Sequence, residues 1–156
     1  MTRRARGERG AVAGLEGLLF GSLILLGGTV LIVNAWAVID VRQSLDTAAR
    51  EYLRAYSEAP AAATGAVDGA IAVDDALDGR DALRRSLRIV APDPSRFGPC
   101  AEATVVLSVT VPSARIPFVG AFGSTEVRVR HSELIDAHRE VTSGAAFNPA
   151  DTPCDD

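Results

Sequence analysis

Residues 17–39, GLLFGSLILLGGTVLIVNAWAVI, contain no charged side chain, and no other feature limits the fold of this chain as much. At about 1.5 Å per residue, a helix of some twenty apolar residues crosses the hydrocarbon of a bilayer. Hydrocarbon offers the backbone no hydrogen-bond partner, so a single segment crossing it must be helical. Arg3, Arg4, Arg6 and Arg9 precede the block. The excess of basic residues on that side predicts a cytoplasmic N-terminus and a single pass through the cell membrane, with everything after Ile39 extracytoplasmic. All sixteen basic residues are arginine, a mark of a GC-rich genome rather than of function. From residue 17 onward twelve arginines face eighteen acids. An acidic exported part does not suit nucleic-acid binding.

The apolar block does not end in a turn. VRQSLDTAAREYLRAYSEA follows Asp40, and neither glycine nor proline appears until Pro60. Val38, Val41, Leu45, Ala48, Tyr52 and Ala55 or Tyr56 fall at steps of three and four, one face of a helix. Arg42, Asp46, Arg50 and Arg54 occupy the other face, where Asp46 can pair with Arg42 or Arg50. One continuous helix over residues 12–57 is therefore expected, with its transmembrane part at about 17–39 and an amphipathic second half. It leaves a basic cytoplasmic leader at 1–11, a small extracytoplasmic α+β domain at 60–141 and an irregular tail at 142–156.

Within that domain, residues 60–69 read as a loose connection. Val67, Ala70, Ile71 and Leu77 predict a second short helix, interrupted near Gly79 and resumed by Ala82, Leu83 and Leu87. EATVVLSVTVP alternates at strand period, as does TEVRVRHSE, where Val127 and Val129 oppose Arg128 and Arg130. The intervening SARIPFVGAFG reads as an apolar connection. Residues 87–91 can add a third strand. The expected fold is α+β, with the long helix covering a two- or three-stranded antiparallel sheet that is too small to stand alone.

Cys100 and Cys154 both fall on the exported side. An even pair in an oxidising compartment predicts a disulfide tying the tail to the loop before a strand, the alternative being two free thiols. Little else suggests chemistry. His131 and His138 lie near Glu133, Asp136 and Glu140, but their spacing is not that of a metal site. Asp74, Asp75 and Asp78 lack the pattern of a calcium loop. There is no Gly-x-Ser-x-Gly elbow and no glycine-rich phosphate loop. No enzyme, no cofactor and no metal is expected.

The membrane segment is more informative. Gly10 with Gly14, and Gly17 with Gly21, form two small-xxx-small pairs of the kind that lets helices approach closely in lipid. Glu16 sits at the edge of the apolar run. It either lies at the interface, near the positive end of the helix dipole, or pairs with a cation on another subunit.

A basic leader, these glycines, Glu16, the apolar run and a helix continuing out of the membrane together resemble a type IV pilin N-terminus. The helix ending AAREYLRAYSEA and the late two-stranded hairpin resemble, more narrowly, the TadE/TadF-like pseudopilins of tight-adherence (Flp-type) pilus systems, in their actinobacterial form. The resemblance is specific over residues 6–57. It implies a minor pilin or pseudopilin, cut by a prepilin peptidase next to Gly10 and working with other pilin-like subunits and an assembly platform. It also implies that Glu16 pairs with the N-terminal amine of a neighbour, a group largely protonated at neutral pH. Cleavage after Gly10 makes Glu16 the sixth mature residue, where the family has the fifth; cleavage after Ala11 restores that register. The proline that commonly follows this glutamate in the family is absent. Two other functions fit the same sequence: a membrane-anchored extracytoplasmic interaction domain, and a secreted protein cut after Ala35-Trp36-Ala37. The apolar run is long for a signal peptide.

Overall fold

The structure, a computed structural model, describes residues 8–136, with side chains from Glu16 onward. Cys154, His138 and the tail at 142–156 lie outside the described residues, and Gly10, Ala11 and Gly14 are placed only as helical backbone.

Helix α1 runs unbroken over Glu8–Glu58, about 77 Å at the standard rise. It is longer than expected, mostly at its N-terminal end. Hydroxyl and amide side chains along it bond back to the preceding turn: Thr29 Oγ1 donates to the Leu25 carbonyl at 2.8 Å and Ser44 Oγ to that of Asp40 at 2.7 Å. These polar groups are thus satisfied within the helix. Pro60 ends it, since proline disfavours helical geometry in the preceding residue and has no N–H to give.

The second half of α1 is the spine of the core. Leu45, Ala48, Ala49, Tyr52, Leu53 and Tyr56 are buried on it, and Val38 and Val41 are partly covered. Helix α2, Ala62–Ala76, packs on this face. It begins well inside the stretch expected to be a loose connection, and it does not present the expected face. Val67 and Ile71 are more than half exposed, while Gly65, Gly69, Val73 and Leu77 are buried. The reason is steric. A Cβ on Gly69 would stand 2.8 Å from the Tyr52 ring, and one on Gly65 would stand 2.9 Å from the Tyr56 carbonyl oxygen. The two tyrosines leave room for a helix only where that helix has no side chain. The Tyr52 and Tyr56 rings stack with centroids 6.1 Å apart. Phe97 meets Tyr56 edge-on at 5.2 Å and pins the loop around Pro94–Arg96 to the same cluster.

A short helix α3, Asp81–Ser86, leads into strand β1, Arg88–Val90. Strands β2, Glu102–Val111, and β5, Thr125–Leu134, form the rest of a three-stranded antiparallel sheet in the order β1-β2-β5. Of the two sheet sizes expected, the larger is present. Val105, Leu107, Val109 and Val111 face the core with Val127 and Val129 opposite, as strand alternation requires. The expected connection between the long strands is itself a hairpin, β3 (Ala114–Ile116) paired with β4 (Gly120–Phe122).

The α1–α2 contact makes two predictions. Gly69→Ala gains helix propensity of up to about 1 kcal/mol but drives a methyl group into the Tyr52 ring, and overpacking of this kind costs about 1–3 kcal/mol. Thermal unfolding of the detergent-solubilised full chain should show a net loss of stability, whereas Gly21→Ala, whose added Cβ meets nothing within 4 Å, should show none. The Tyr56 hydroxyl is buried and, among the described residues, finds no hydrogen-bond partner. Tyr56→Phe should therefore be neutral or stabilising by up to about 1 kcal/mol in the same measurement.

Candidate functional site

Three regions of the molecule hold the residues singled out from the sequence. The first is the N-terminal half of α1. Glu16 is exposed there, and Leu18, Leu23, Leu25 and Leu31 are 68–72% exposed. Gly17, Gly21, Gly27 and Gly28 have open space where a side chain would project. Among the described residues nothing covers these positions. The apolar stretch is long enough to cross a membrane by length and composition. Glu16 and the glycine stripe face outward, where another helix or lipid can reach them.

The second region is a collar where α1 leaves its charge-free run. Asp40, the first charge after it, is gripped by Arg80 at the start of α3, with N–O distances of 2.7 and 3.3 Å. Both side chains are substantially exposed, so the pair fixes geometry more than it adds stability. Six residues closer to the N-terminus, Asn34 bonds to β3. Its Oδ1 accepts the Arg115 N–H at 2.5 Å, and its Nδ2 donates to the Arg115 carbonyl at 3.0 Å and to the Val30 carbonyl at 2.8 Å. The β3–β4 hairpin thus lies along the apolar part of α1, enclosing an open groove of about 490 Å³ lined by Thr29, Val30, Val33, Asn34, Arg115, Ile116, Pro117, Gly120 and Ala121.

The third region holds the acids and the histidine. His131 is not a solvated strand-end residue. It lies half-buried on β5 with its Nε2 3.1 Å from Asp46 Oδ1 on α1. Asp46 thus turns to the sheet, where the sequence suggested Arg42 or Arg50 as its partner. Asp74 binds Arg84 instead of gathering with Asp75 and Asp78, and Asp78 accepts the Gly79 N–H. Among the described residues no three His, Cys, Asp or Glu converge as metal ligands would.

The electrostatic perturbations in the folded domain beyond Asp40 follow from packing. Burial, followed by the negative charge that Tyr52 and Asp93 would add, pushes the Tyr56 phenol up to about 12. Hydrogen bonds from the Ser95 hydroxyl and N–H hold the Asp93 carboxyl below its usual range. The Ser108 hydroxyl, followed by Arg128, does the same for Glu126. All three groups keep their ordinary charge at neutral pH, and none lines the groove beside α1.

Cys100 is 5% exposed in a left-handed backbone conformation, φ 61°. Its N–H donates to the Ile135 carbonyl at 2.9 Å, and the Ile135 N–H donates to that of Ala101 at the same distance. The cysteine is thereby fixed at the far end of the β2–β5 pairing from the hairpin tip.

Asn34, Gly65, Gly69 and Arg80 have structural roles that no sequence pattern pointed to. Only Asn34 carried a visible signal, as the sole amide inside a charge-free run. Comparison of the chain with protein-family models, with curated proteins and with solved structures finds no match.

Proposed function

We propose that this chain is a membrane-anchored, non-enzymatic structural subunit, a minor pilin or pseudopilin of a tight-adherence type pilus or a related secretion assembly. One observation carries the reading. A single unbroken helix is bare from Glu16 to Gly27, with Glu16 and the glycines outward, and enclosed by the domain along its C-terminal half. Such a helix suits a subunit that anchors in the membrane and then packs helix against helix with its neighbours, the glycines allowing close approach. In that role the basic leader stays cytoplasmic and the domain is extracytoplasmic. A prepilin peptidase cuts next to Gly10 or Ala11, and the new amine of a neighbour offsets the Glu16 carboxylate, which is costly in hydrocarbon.

A second reading, a membrane-anchored extracytoplasmic interaction domain without assembly into a fibre, is favoured by the collar of Asn34 and Asp40, which holds the domain against the start of the exported helix. Secretion by a cut after Ala37 is disfavoured by the same contacts, because it would remove Asn34 and leave the hairpin without its attachment.

N-terminal and intact-mass analysis of the protein from native membranes should find a start at Ala11 or Val12. A retained Met1 or Thr2 would favour the second reading, and a start at Val38 would overturn both. With processing intact, Glu16→Ala should lower pilus assembly at least about tenfold, equivalent to ~1.4 kcal/mol, at an unchanged level of protein in the membrane. Unchanged assembly would remove the intersubunit pairing.

We also propose that Cys100 pairs with Cys154 in the oxidising extracytoplasmic space, closing a loop long enough to stabilise the domain by about 4 kcal/mol. Both thiols should resist alkylation in the exported protein until a reductant is added. Labelling of either one beforehand would exclude the bridge.

A further inference from the structure

Asn34 does what a neighbouring strand would do. Its side-chain amide pairs with both main-chain groups of Arg115, so one edge of the hairpin is satisfied by α1 at that level. From there the hairpin extends along the helix toward its N-terminus, where Pro117 and Gly120 line one groove together with Thr29 and Val33. Thr29 precedes Asn34 by five residues, about 7.5 Å of helix.

The tip is apolar and uncovered. Phe118 is fully exposed, Val119 is 66% exposed, and Ile116 and Phe122 are 40% and 48% exposed. Phe118 also holds a left-handed backbone conformation, φ 66°, which bulky side chains avoid. The turn thus presents an aromatic ring outward, beside a helix surface that is itself apolar and bare.

That position conflicts with a membrane boundary at Ile39. The Arg115 side chain and the open edge of β4 would then lie well inside hydrocarbon, where unpaired backbone groups are not tolerated. A boundary between Asn34 and Trp36 removes the conflict. Trp36, the only tryptophan, is 70% exposed, and tryptophan concentrates at membrane interfaces. Residues 17–33, with the helical turn before them, still supply the roughly 17–25 residues that a span requires. The 7.5 Å reach of the tip below Asn34 matches the depth of about 5–10 Å to which interfacial elements insert.

We propose that the β3–β4 hairpin is a lipid wedge. Ile116, Phe118 and Val119, on the tip side of the Arg115–Ala121 pair, enter the outer leaflet beside α1, Asn34 clamps the hairpin at the headgroup level, and the outer boundary of the span lies near residues 34–36 instead of 39. This inference rests on the membrane-anchored reading above, and its occupant is the acyl region of the bilayer.

The test uses the full chain in vesicles of phosphatidylcholine and phosphatidylglycerol whose acyl chains carry bromine, a contact quencher of tryptophan. Two single-tryptophan proteins are made in a Trp36→Phe background. Leu25→Trp reports the span, and Phe118→Trp reports the hairpin tip. Both should be quenched, Phe118→Trp losing about half its emission with bromines near the carbonyl end and less with deeper ones, as an interfacial depth requires. Adding Asn34→Leu should abolish the quenching at position 118 and leave that at position 25 unchanged. Quenching of Leu25→Trp without that of Phe118→Trp would overturn the wedge and leave the anchor standing. Quenching of neither would overturn the anchor and the wedge together. A Phe118→Trp signal shielded from aqueous iodide only at high protein-to-lipid ratio, and untouched by bromine, would assign the tip to a second copy of the chain and overturn the lipid occupant. Quenching at position 118 that survives Asn34→Leu would overturn the clamp.

Discussion

A helix that crosses hydrocarbon brings its own hydrogen bonds, and it cannot stop being a helix before it reaches water or other protein. The rest of this molecule is built on a helix long and apolar enough to meet that constraint. Helix α1 does not pause at the edge of its charge-free run but continues beyond it, and the domain is assembled on its second half. Tyr52 and Tyr56 are the largest groups buried there. Around them the glycine face of α2, the ring of Phe97 and the inner faces of β2 and β5 find their places. The fold is therefore less a domain with an anchor attached than a helix with a domain built onto one end.

The same helix carries two surfaces of opposite character. Beyond Leu45 its apolar side chains are enclosed by the chain's own elements. Before Asn34 they are bare, and the glycines leave shallow ground instead of knobs. Between the two lies the collar of Asn34, Asp40, Arg80 and Arg115, which uses directional polar contacts where neither lipid nor core is present. The Asp46–His131 contact adds a further polar tie between α1 and β5 above it. Polar pairs at a boundary add modest stability, but they fix the geometry of the elements they join.

Much of this architecture was legible in order. The uncharged run, the 3–4 spacing from Val38 to Tyr56 and the strict alternation of Val105, Leu107 and Val109 are periodic signals, and each became the expected element. The failures share a cause. The α2 face was sought among its large residues, Val67 and Ile71, because burial is usually read from apolar bulk. Here the bulk lies on the partner helix, and the buried positions are glycines. His131 continues the inward alternation of Val127 and Val129, so its position was readable, but its partner Asp46 lies 85 residues away and no local pattern links them. The hairpin within SARIPFVGAFG was hidden because its strands are three residues each and partly held by a side chain of α1. Glu16 and the glycines of the apolar run face outward, so the fold of one copy assigns them no contact.

The continuity of α1 also makes the length of its apolar run an angular quantity. Successive residues turn by about 100° around a helix axis, and no glycine or proline between residues 29 and 59 offers a swivel. Glu16 and the glycine stripe therefore hold a fixed bearing relative to the Tyr52 face and the sheet behind it. Adding or removing one residue in the run would change the span by only about 1.5 Å, well within what a bilayer absorbs, yet it would point Glu16 in a different direction from the same domain. Evolution of such a segment is free in the identity of its apolar residues and constrained in their number.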